Sequence, residues 1–488
     1  MNLLLTNWSI ILSETCLLRS LNFQLVYDHL VNYSTTRVNV MSKRYDIVIL
    51  GAGNAGFGVS QVAHAAGKSI AFVESDEFGG TCPNRGCTPK KVLVAAANAL
   101  HEIELAAEHG IEVGPAKLDW AKLIGRKNDM IDFIPGAMEE TARSRGQVFR
   151  GKARFVAADA IEVNDERIEA DNFVIATGSI TRPLAIPGAE HLITSDDVLT
   201  ERTLPDQVVF IGGGVIAMEF SHVYARAGAR VTILEMAPQV LPRHDTDAVA
   251  AIRAESERLG ITIKTGVGVE AVEKTGDRFQ VHYLDGDERQ FVTADRVVNG
   301  SGRIANVADL DLAAANVKHD GIRIEVDSTL RSVSNPAVWV AGDALVHSAQ
   351  LSPLATYEGR IVGQNIVAGA SLEPDYSIVP SAVYTVPALS SVGLNEAEAE
   401  RAGIDVEVLT SDMSGWFSAR FYAETVAWAK ILVEKSSRKI VGAHLVGHHG
   451  EELVHLFALA MRHGISADQL GDEMYAFPTF AADIKSML

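Results

Sequence analysis

The chain has 488 residues and a formal net charge of −19, and a chain of this length folds into roughly two to four domains. The acidity argues against nucleic acid or an anionic membrane surface as a main partner, because both attract basic surfaces. Three cysteines are too few for a secreted disulfide framework, which favours a reducing, cytoplasmic location. No apolar run reaches the roughly eighteen residues of a membrane span, so we expect none.

The first 40 residues do not fit the pattern of the rest of the chain. They are apolar in patches, yet they lack the basic start, the unbroken apolar stretch and the small-residue cleavage site of a signal peptide. The segment MSKRYDIVIL at 41–50 resembles a natural beginning. We therefore predict that residues 1–40 are an extension outside the fold, and Cys16 receives no role.

A first dinucleotide site is indicated by DIVILGAGNAGFGVSQVAHAAGKSIAFVES at 46–75. Gly51, Gly53 and Gly56 form GxGxxG directly after an apolar strand, where the backbone must turn tightly and let a pyrophosphate approach the next helix. Glu74 ends the following strand, where it can accept hydrogen bonds from a ribose. Because the strand, the helix and the acid accompany the glycines, the segment predicts a Rossmann-type site.

The pattern returns in VVFIGGGVIAMEFSHVYARAGARVTILE. Gly212, Gly214 and Ala217 form GxGxxA, in which alanine is tolerated where helix and strand pack closely, and Glu235 repeats the acid at the strand end. A carboxylate at that position favours a free 2′-OH and repels a 2′-phosphate. Arg243 is rather far along the chain to reverse that preference, so we predict NADH rather than NADPH.

Two cysteines, Cys82 and Cys87, stand five positions apart in GGTCPNRGCTPKK at 79–91, just before a helical run. A thiolate near a helix N-terminus is stabilised by the positive end of the helix dipole, so we expect a lowered cysteine pKa here. A zinc site needs four ligands and nothing nearby completes the set, so no resident metal is predicted. Metal binding and two inert thiols remain the less favoured alternatives to a redox pair.

Ordered motifs link the chain to a known family. The cysteine segment matches the signature GGTCxNxGCxPxK with an extra lysine. Further matches are ATGS at 176–179, NGSGR at 299–303, WVAGDA at 339–344, LSPLATYEGRIVGQNI at 351–366, YTVPALSSVGLNEAEA at 384–399 and GAHLVG at 442–447. From about residue 43 to its end, the chain therefore resembles the pyridine nucleotide-disulfide oxidoreductases, the flavoprotein family of glutathione reductase, dihydrolipoamide dehydrogenase and mercuric reductase.

The resemblance implies an α/β fold with two dinucleotide-binding, Rossmann-like domains and a C-terminal α+β dimerisation domain. It implies FAD on the first glycine loop and a nicotinamide cofactor on the second. We expect an FAD-binding domain over 41–190, an NAD(P)-binding domain over 191–310, a return to the central domain over 311–375 and an interface domain over 376–488. Because the family's active site is completed by the partner's C-terminus, a homodimer is expected.

The same resemblance implies catalytic roles. Cys87 would be the flavin-facing thiol, and Cys82 the interchange thiol that attacks a small-molecule or protein disulfide. Electrons would pass from NADH through FAD to a Cys82–Cys87 disulfide and then to the acceptor. Lys90 would lie beside the flavin, with Glu219 as its ion-pair partner near the nicotinamide.

The resemblance also implies cofactor contacts outside the two glycine loops. Asp343 would hold the flavin's ribityl chain or pyrophosphate region, and Pro353 would begin a helix whose N-terminus stabilises negative charge on reduced flavin. The other implied contacts are Gly80, Thr81, Lys90, Thr177, Gly178 and Gly302.

The C-terminal segment MYAFPTFAADIKSML departs from the family pattern. Phe477 stands where the family's disulfide reductases have an acid–base histidine, and Ala482 stands where they have its acid, with Asp483 adjacent. An aromatic ring cannot shuttle a proton, and general acid–base catalysis contributes roughly 10²–10⁴-fold. We therefore expect weak glutathione-type turnover unless His448 or His449 substitutes.

Other positions also point away from glutathione. Asn54, Gln61 and Val62 replace a serine and an arginine pair that help glutathione reductases hold their substrate, and Val215 replaces a tyrosine that shields the flavin in many relatives. The favoured function is an FAD-dependent NADH:disulfide oxidoreductase. The alternatives are a reductase of a metal ion, quinone or polysulfide, and a low-turnover redox sensor that binds NADH.

Overall fold

A computed structural model describes residues 43–488 apart from positions 347 and 370. Arg44–Leu488 form one compact unit. The predictions made for residues 1–40, for Cys16 and for a start at Met41 lie outside the described residues.

A seven-stranded sheet forms the centre of the first dinucleotide-binding unit. Its strands are β1 Lys43–Leu50, β2 Ile70–Glu74, β3 Gln147–Arg150, β4 Ala153–Ala157, β5 Ala160–Val163, β6 Glu166–Ile175 and β16 Val338–Val340. The order is β3-β2-β1-β6-β5-β4, and β16 pairs in parallel with β6. β1 is apolar on both faces at Ile47, Val48 and Ile49, all fully buried, because elements cover both sides of a parallel sheet.

Six helices accompany this sheet, some packed against it and others against the core of the second unit, and two of them carry the cysteine segment. They are α1 Asn54–Ala65, α2 Thr81–Arg85, α3 Cys87–Leu105, α4 Trp120–Ile131, α5 Ile134–Arg145 and, from much later in the chain, α9 Ser352–Ala368. α1 begins directly after the first glycine pair, with Gly53 as its N-cap. The break between α2 and α3 at Gly86 separates the two cysteines onto two helices.

The second dinucleotide-binding unit contains a four-stranded parallel sheet in the order β10-β9-β8-β14 and a three-stranded antiparallel sheet. The parallel strands are β8 Gln207–Ile211, β9 Arg230–Glu235, β10 Thr262–Thr265 and β14 Arg296–Asn299; the antiparallel strands are β11 Val267–Thr275, β12 Arg278–Asp285 and β13 Glu288–Ala294. Its helices are α6 Ser195–Thr200, α7 Val215–Arg226 and α8 Thr246–Arg258. A short ladder of β7 Ser179–Thr181 and β15 Arg303–Ala305 also forms.

The C-terminal unit is an antiparallel five-stranded sheet packed with helices, in the order β17-β18-β21-β20-β19. The strands are β17 Ser381–Val383, β18 Leu389–Gly393, β19 Val406–Asp412, β20 Ala427–Glu434 and β21 Ile440–Gly447. The helices are α10 Glu396–Arg401, α11 Phe417–Phe421, α12 Gly450–His463, α13 Ala467–Asp472 and α14 Ile484–Met487.

The predicted α/β architecture, with two dinucleotide-binding units and a C-terminal α+β unit, is confirmed. The four domain boundaries given above remain predictions. Over the described part of the chain, no helix combines the length and the apolar character that crossing a bilayer requires.

Candidate functional site

A continuous cavity of about 1580 Å³ joins the two glycine loops. All the site residues predicted from the sequence line it except Gly56, Ala217 and Pro353. These three do not reach the cavity surface. A Cβ on Gly56 would stand 2.2 Å from the Gly51 carbonyl oxygen, so Gly56 packs against the loop. Ala217 is fully buried, and Pro353 lies in the first turn of α9. Residues from widely separated motifs thus meet in one space.

The first glycine loop has no room for a side chain at its turn. Gly51 has φ +105°, and a Cβ there would lie 2.3 Å from the carbonyl oxygen of Ala176. Both oxygens of Glu74 accept backbone hydrogen bonds, from the N–H of Ala52 at 2.8 Å and of Asp76 at 2.9 Å. The acid is therefore held at the rim of the loop, where a ribose would meet it.

Polar groups opposite the first loop fit the FAD that the family uses. The Thr177 hydroxyl oxygen is buried and has no hydrogen-bond partner among the described residues. The Asp343 carboxylate accepts a hydrogen bond from the Ser179 hydroxyl at 3.0 Å, and burial raises its pKa. An open cradle beside an unsatisfied hydroxyl and a buried acid suits a large polar cofactor.

The second glycine loop repeats the arrangement for a second dinucleotide. The backbone N–H groups of Gly213 and Ala237 donate to the two oxygens of Glu235. Val215, at the head of α7, is 41% exposed, so the cavity is open to solvent on this side. Arg243, given no role by the sequence, lines the same cavity.

The two cysteines lie at the junction of α2 and α3 as free thiols. A hydrogen bond from the Cys82 thiol lowers the pKa of Cys87 to about 6, aided by the Ser352 hydroxyl and the charge of Lys90. The same bond, together with burial, raises the pKa of Cys82. The Cys87 Sγ lies 3.7 Å from the Ser352 Oγ. Cys87 is therefore the thiolate of the pair, and Cys82 holds the proton.

An ion pair ties the cysteine-bearing helix to the second glycine loop. Lys90 Nζ lies 2.7 Å from Glu219 Oε1, and both side chains are largely buried. The same carboxylate oxygen accepts the backbone N–H of Tyr384 at 2.9 Å. Lys90 and Lys91 both stand over the Tyr384 ring, with Nζ 4.4 and 3.6 Å from its centroid. The pair fixes α3, α7 and the C-terminal unit relative to one another.

Sequence reasoning missed two arginines at the site. Arg85 lies between the cysteines, with Nη1 2.7 Å from Asp76 Oδ2 and Nε 3.6 Å from Asp196 Oδ2. It occupies a variable position of the signature, so the motif gave no signal. Arg303 donates to the backbone oxygen and hydroxyl of Ser179, and it is the last residue of the NGSGR motif, where a signal was present.

The C-terminal segment places an exposed aromatic ring where the family has a histidine. Phe477 is 83% exposed. His448 is fully buried, with Nδ1 3.1 Å from Glu424 Oε2 and Nε2 2.7 Å from Asp483 Oδ2. Both ring nitrogens are occupied by carboxylates, so this imidazole has a structural environment rather than that of an open proton shuttle. Asp483 therefore supports His448 and not residue 477.

Comparison with known proteins places these features in context. Residues 45–359 match the family described as pyridine nucleotide-disulphide oxidoreductase, and residues 379–488 match its dimerisation domain. The chain is 31% identical over 453 residues to the dihydrolipoyl dehydrogenase of Chlamydia muridarum, spanning 90% of this chain and 95% of that protein. It is 30% identical over 447 residues to the glutathione reductase of Burkholderia cepacia, spanning 91% and 98%.

Solved structures also match this chain. The HOCl-induced flavoprotein disulfide reductase RclA from Escherichia coli superposes with a TM-score of 0.81 at 26% identity, covering 91% of this chain and 99% of that one. A Cu(II) complex of the same protein also superposes with a TM-score of 0.81, at 26% identity over 92% of this chain and 99% of that one.

Proposed function

Since the chain belongs to the pyridine nucleotide-disulphide oxidoreductase family, we propose that it moves two electrons from NADH to the Cys82–Cys87 pair and then to a disulfide acceptor. The chain is an FAD-dependent enzyme that uses a nicotinamide cofactor. When bound, FAD supplies the redox relay between nicotinamide and thiols. The observation that carries the proposal is the position of the two thiols on the wall between the two loops, beside the Ser352 hydroxyl and the Lys90–Glu219 ion pair.

The two sulfurs carry the thiol cycle, and solvent supplies and takes up its protons, because the Phe477 ring can do neither. Reduction of a Cys82–Cys87 disulfide takes two electrons and one proton and leaves a Cys87 thiolate beside a Cys82 thiol. Cys82 must then lose its proton to solvent and attack one sulfur of the acceptor, which breaks the acceptor's S–S bond and releases the first product as a thiolate. The Cys87 thiolate then attacks the Cys82 sulfur, which restores the disulfide and releases the second product.

The side chains around the thiols position them for this exchange. The Lys90–Glu219 pair orients the first turn of α3, and the Ser352 hydroxyl faces Cys87. The second loop binds NADH rather than NADPH, because the Glu235 carboxylate would repel a 2′-phosphate. A Glu235→Ala variant should therefore lower the ratio of kcat/KM measured with NADH to kcat/KM measured with NADPH. An unchanged ratio would remove the basis for this preference.

Anaerobic titration with NADH tests the role of the cysteines. A thiolate against oxidised FAD gives a long-wavelength absorption band, so the band should appear after two electrons and be absent in Cys87→Ser. Cys82→Ser is the matched control: Cys87 then has no disulfide partner and should show the band before any reductant is added. Bleaching of the flavin with no such band in the unmodified protein would mean that electrons stop at the flavin.

A second candidate is reduction of a soft metal ion held by the thiols, and Phe477 favours it. Disulfide exchange needs a base for Cys82 and an acid for the leaving thiolate, and the exposed phenyl ring supplies neither. A metal ion needs only deprotonated sulfur ligands. The Cu(II) complex of RclA supports a metal ion as acceptor, without indicating which side chains hold it.

The two candidates differ in their response to a histidine at position 477. For a disulfide reductase that lacks its acid, Phe477→His should raise disulfide turnover by tenfold or more, within the roughly 10²–10⁴-fold range of acid–base catalysis. Met474→His, at a 95% exposed position of the same segment, should have no effect. A metal-ion reductase should show rapid Cu(II) reduction that neither variant increases. A protein with slow turnover of both acceptors would instead be the NADH-binding sensor.

We propose further that the protein works as a homodimer in the cytoplasm on a small-molecule or protein disulfide. The dimerisation domain at residues 379–488 supports the dimer. Several large apolar side chains of this unit are exposed in the single chain: Phe417, Phe421, Tyr422, Met474 and Phe477. Sedimentation equilibrium should give twice the chain mass of 52.4 kDa.

A further inference from the structure

Glu358 is a buried acid to which no motif assigned a role. It lies in α9 and is 0% exposed. Among the described residues, no cation lies within ion-pair distance of it. Burial raises the pKa of this carboxyl against the hydrogen bonds that it accepts. A carboxyl kept in the interior without a counter-ion is costly unless several donors satisfy it.

Three donors from two parts of the chain converge on this carboxylate. The backbone N–H of Gly342 donates to Oε2 at 2.8 Å. The Ser348 hydroxyl donates to Oε1 at 2.6 Å, and the Tyr376 hydroxyl donates to the same oxygen at 3.0 Å. Gly342 and Ser348 belong to the segment that connects β16 to α9, and Tyr376 begins the predicted interface domain. One side chain thus holds two segments of the chain.

The segment held by Glu358 has a site residue at each end. Asp343 follows Gly342 directly and lines the cavity beside Thr177. Ser352 ends the segment and faces the Cys87 sulfur at 3.7 Å. Backbone hydrogen bonds run along the first part of the segment: Leu345 N–H donates to Gly342 O at 2.8 Å, and Ser348 N–H donates to Leu345 O at 3.3 Å. Asp343 therefore follows a residue that Glu358 holds directly, and Ser352 belongs to the same helix as Glu358.

The helix that carries Glu358 is itself fixed. A Cβ on Gly359 would lie 2.1 Å from the carbonyl oxygen of Ala55 in α1. α9 therefore touches α1, the helix of the first glycine loop, with no space between the two backbones. A carboxylate on such a support has a defined position relative to that loop.

We propose that Glu358 is a positioning residue that holds Gly342 and Ser348 against α9, and so sets both the flavin-side carboxylate of Asp343 and the Ser352 hydroxyl that faces Cys87. The flavin half of this inference rests on the proposed contact of Asp343 with FAD. The thiol half does not, because it concerns the ionisation of Cys87 whether or not electrons reach it.

The test is Glu358→Leu in the purified flavoprotein, with two measurements. Release of FAD on dilution is followed by flavin fluorescence, and the pH midpoint of Cys87 alkylation in the reduced protein is followed by peptide mapping. The dissociation constant of FAD should rise about tenfold or more, because three hydrogen bonds to a charged group are lost. The alkylation midpoint should move up from about 6, because Ser352 no longer faces the thiolate.

Asn365→Leu is the matched control. Asn365 lies two turns further along α9, is buried, and bonds Leu372 and Thr329 away from the cavity. It should lower thermal stability without moving either measurement. The inference is overturned if Glu358→Leu leaves both measurements at their original values, or if the two variants move both equally.

Ser348→Ala serves where Glu358→Leu does not yield folded protein. It removes one donor and leaves the carboxylate and the other two. The dissociation constant of FAD should then rise by about two- to fivefold, as expected for one hydrogen bond. The pH midpoint of Cys87 alkylation should rise by less than in Glu358→Leu. Unchanged values in folded Ser348→Ala protein would overturn the inference.

Discussion

The two glycine loops are built alike but enclosed differently. At the first glycine of each, a Cβ would meet a carbonyl oxygen, at 2.3 Å for Gly51 and 2.5 Å for Gly212. The first loop is covered by the cysteine segment, where Gly80 touches the backbone of Gly53. The second loop is bordered by Val215 and by Met236, which is 80% exposed. A covered site suits a cofactor that stays bound, and an open site suits one that enters and leaves in each cycle.

The largest predicted effect is loss of FAD from the covered loop when Gly51 is substituted. Gly51→Ala places a Cβ against the Ala176 carbonyl and adds about 1–3 kcal/mol of backbone strain at a positive φ. Because both groups in the clash belong to the backbone, relief requires opening the loop. We expect protein with almost no bound FAD, measured by the ratio of visible to ultraviolet absorbance. Full FAD content in Gly51→Ala would show that the loop does not form the tight cradle described here.

The second prediction concerns the ion pair that joins the covered site to the open one. Glu219→Leu leaves the Lys90 ammonium buried and removes the acceptor of the Tyr384 N–H. Breaking one side of a buried pair costs about 3–5 kcal/mol, which urea denaturation of the FAD-loaded protein can measure. Asp309→Ala is the control, because its 3.1 Å pair with Lys152 is exposed and should contribute less than about 1 kcal/mol. Equal losses in the two variants would contradict the prediction.

The sequence was informative where spacing along the chain carries the chemistry. Gly51, Glu74 and the cysteine pair belong to short motifs, and the spacing of the residues in such a motif predicts the local backbone structure. Lys90 and Glu219 are 129 positions apart, and only the family resemblance suggested that they meet. Nothing in the sequence indicated that Asp483 would pair with His448, because that contact depends on how the C-terminal segment folds back. Glu358 was hidden although its donors lie only 10 to 18 positions away, because their approach depends on how irregular segments fold around α9.

The second glycine of the open loop is predicted to tolerate a side chain that the first glycine of either loop does not. A Cβ on Gly214 has 3.8 Å to its nearest neighbour, the Gly300 carbonyl oxygen, so Gly214→Ala should fold normally and retain FAD. The added methyl group would stand where the backbone approaches the pyrophosphate of NADH. We expect the KM for NADH to rise about tenfold, which corresponds to about 1.4 kcal/mol, in steady-state assays. Loss of FAD in this variant would mean that the two loops are coupled rather than independent.

The smallest predicted effect concerns the thiolate beside the covered site. Ser352→Ala removes the hydroxyl that lies 3.7 Å from the Cys87 sulfur, a neutral group whose hydrogen bond contributes about 1 kcal/mol. The pKa of Cys87 should therefore rise from about 6 by less than about one unit, since one unit equals about 1.36 kcal/mol.

The sign of this shift can be read from the pH dependence of labelling. A thiol with a depressed pKa is charged above that value and is protonated as the pH falls through it, so alkylation of Cys87 should begin at a higher pH in Ser352→Ala. Thr356→Ala is the control, because this hydroxyl bonds the Ser352 backbone oxygen at 3.2 Å and is not seen to contact the sulfur. An equal shift of the Cys87 pKa in Thr356→Ala would assign the effect to a general disturbance of the helix. A shift confined to Ser352→Ala would assign it to the Ser352 hydroxyl, so that the first residue of α9 controls the ionisation of Cys87.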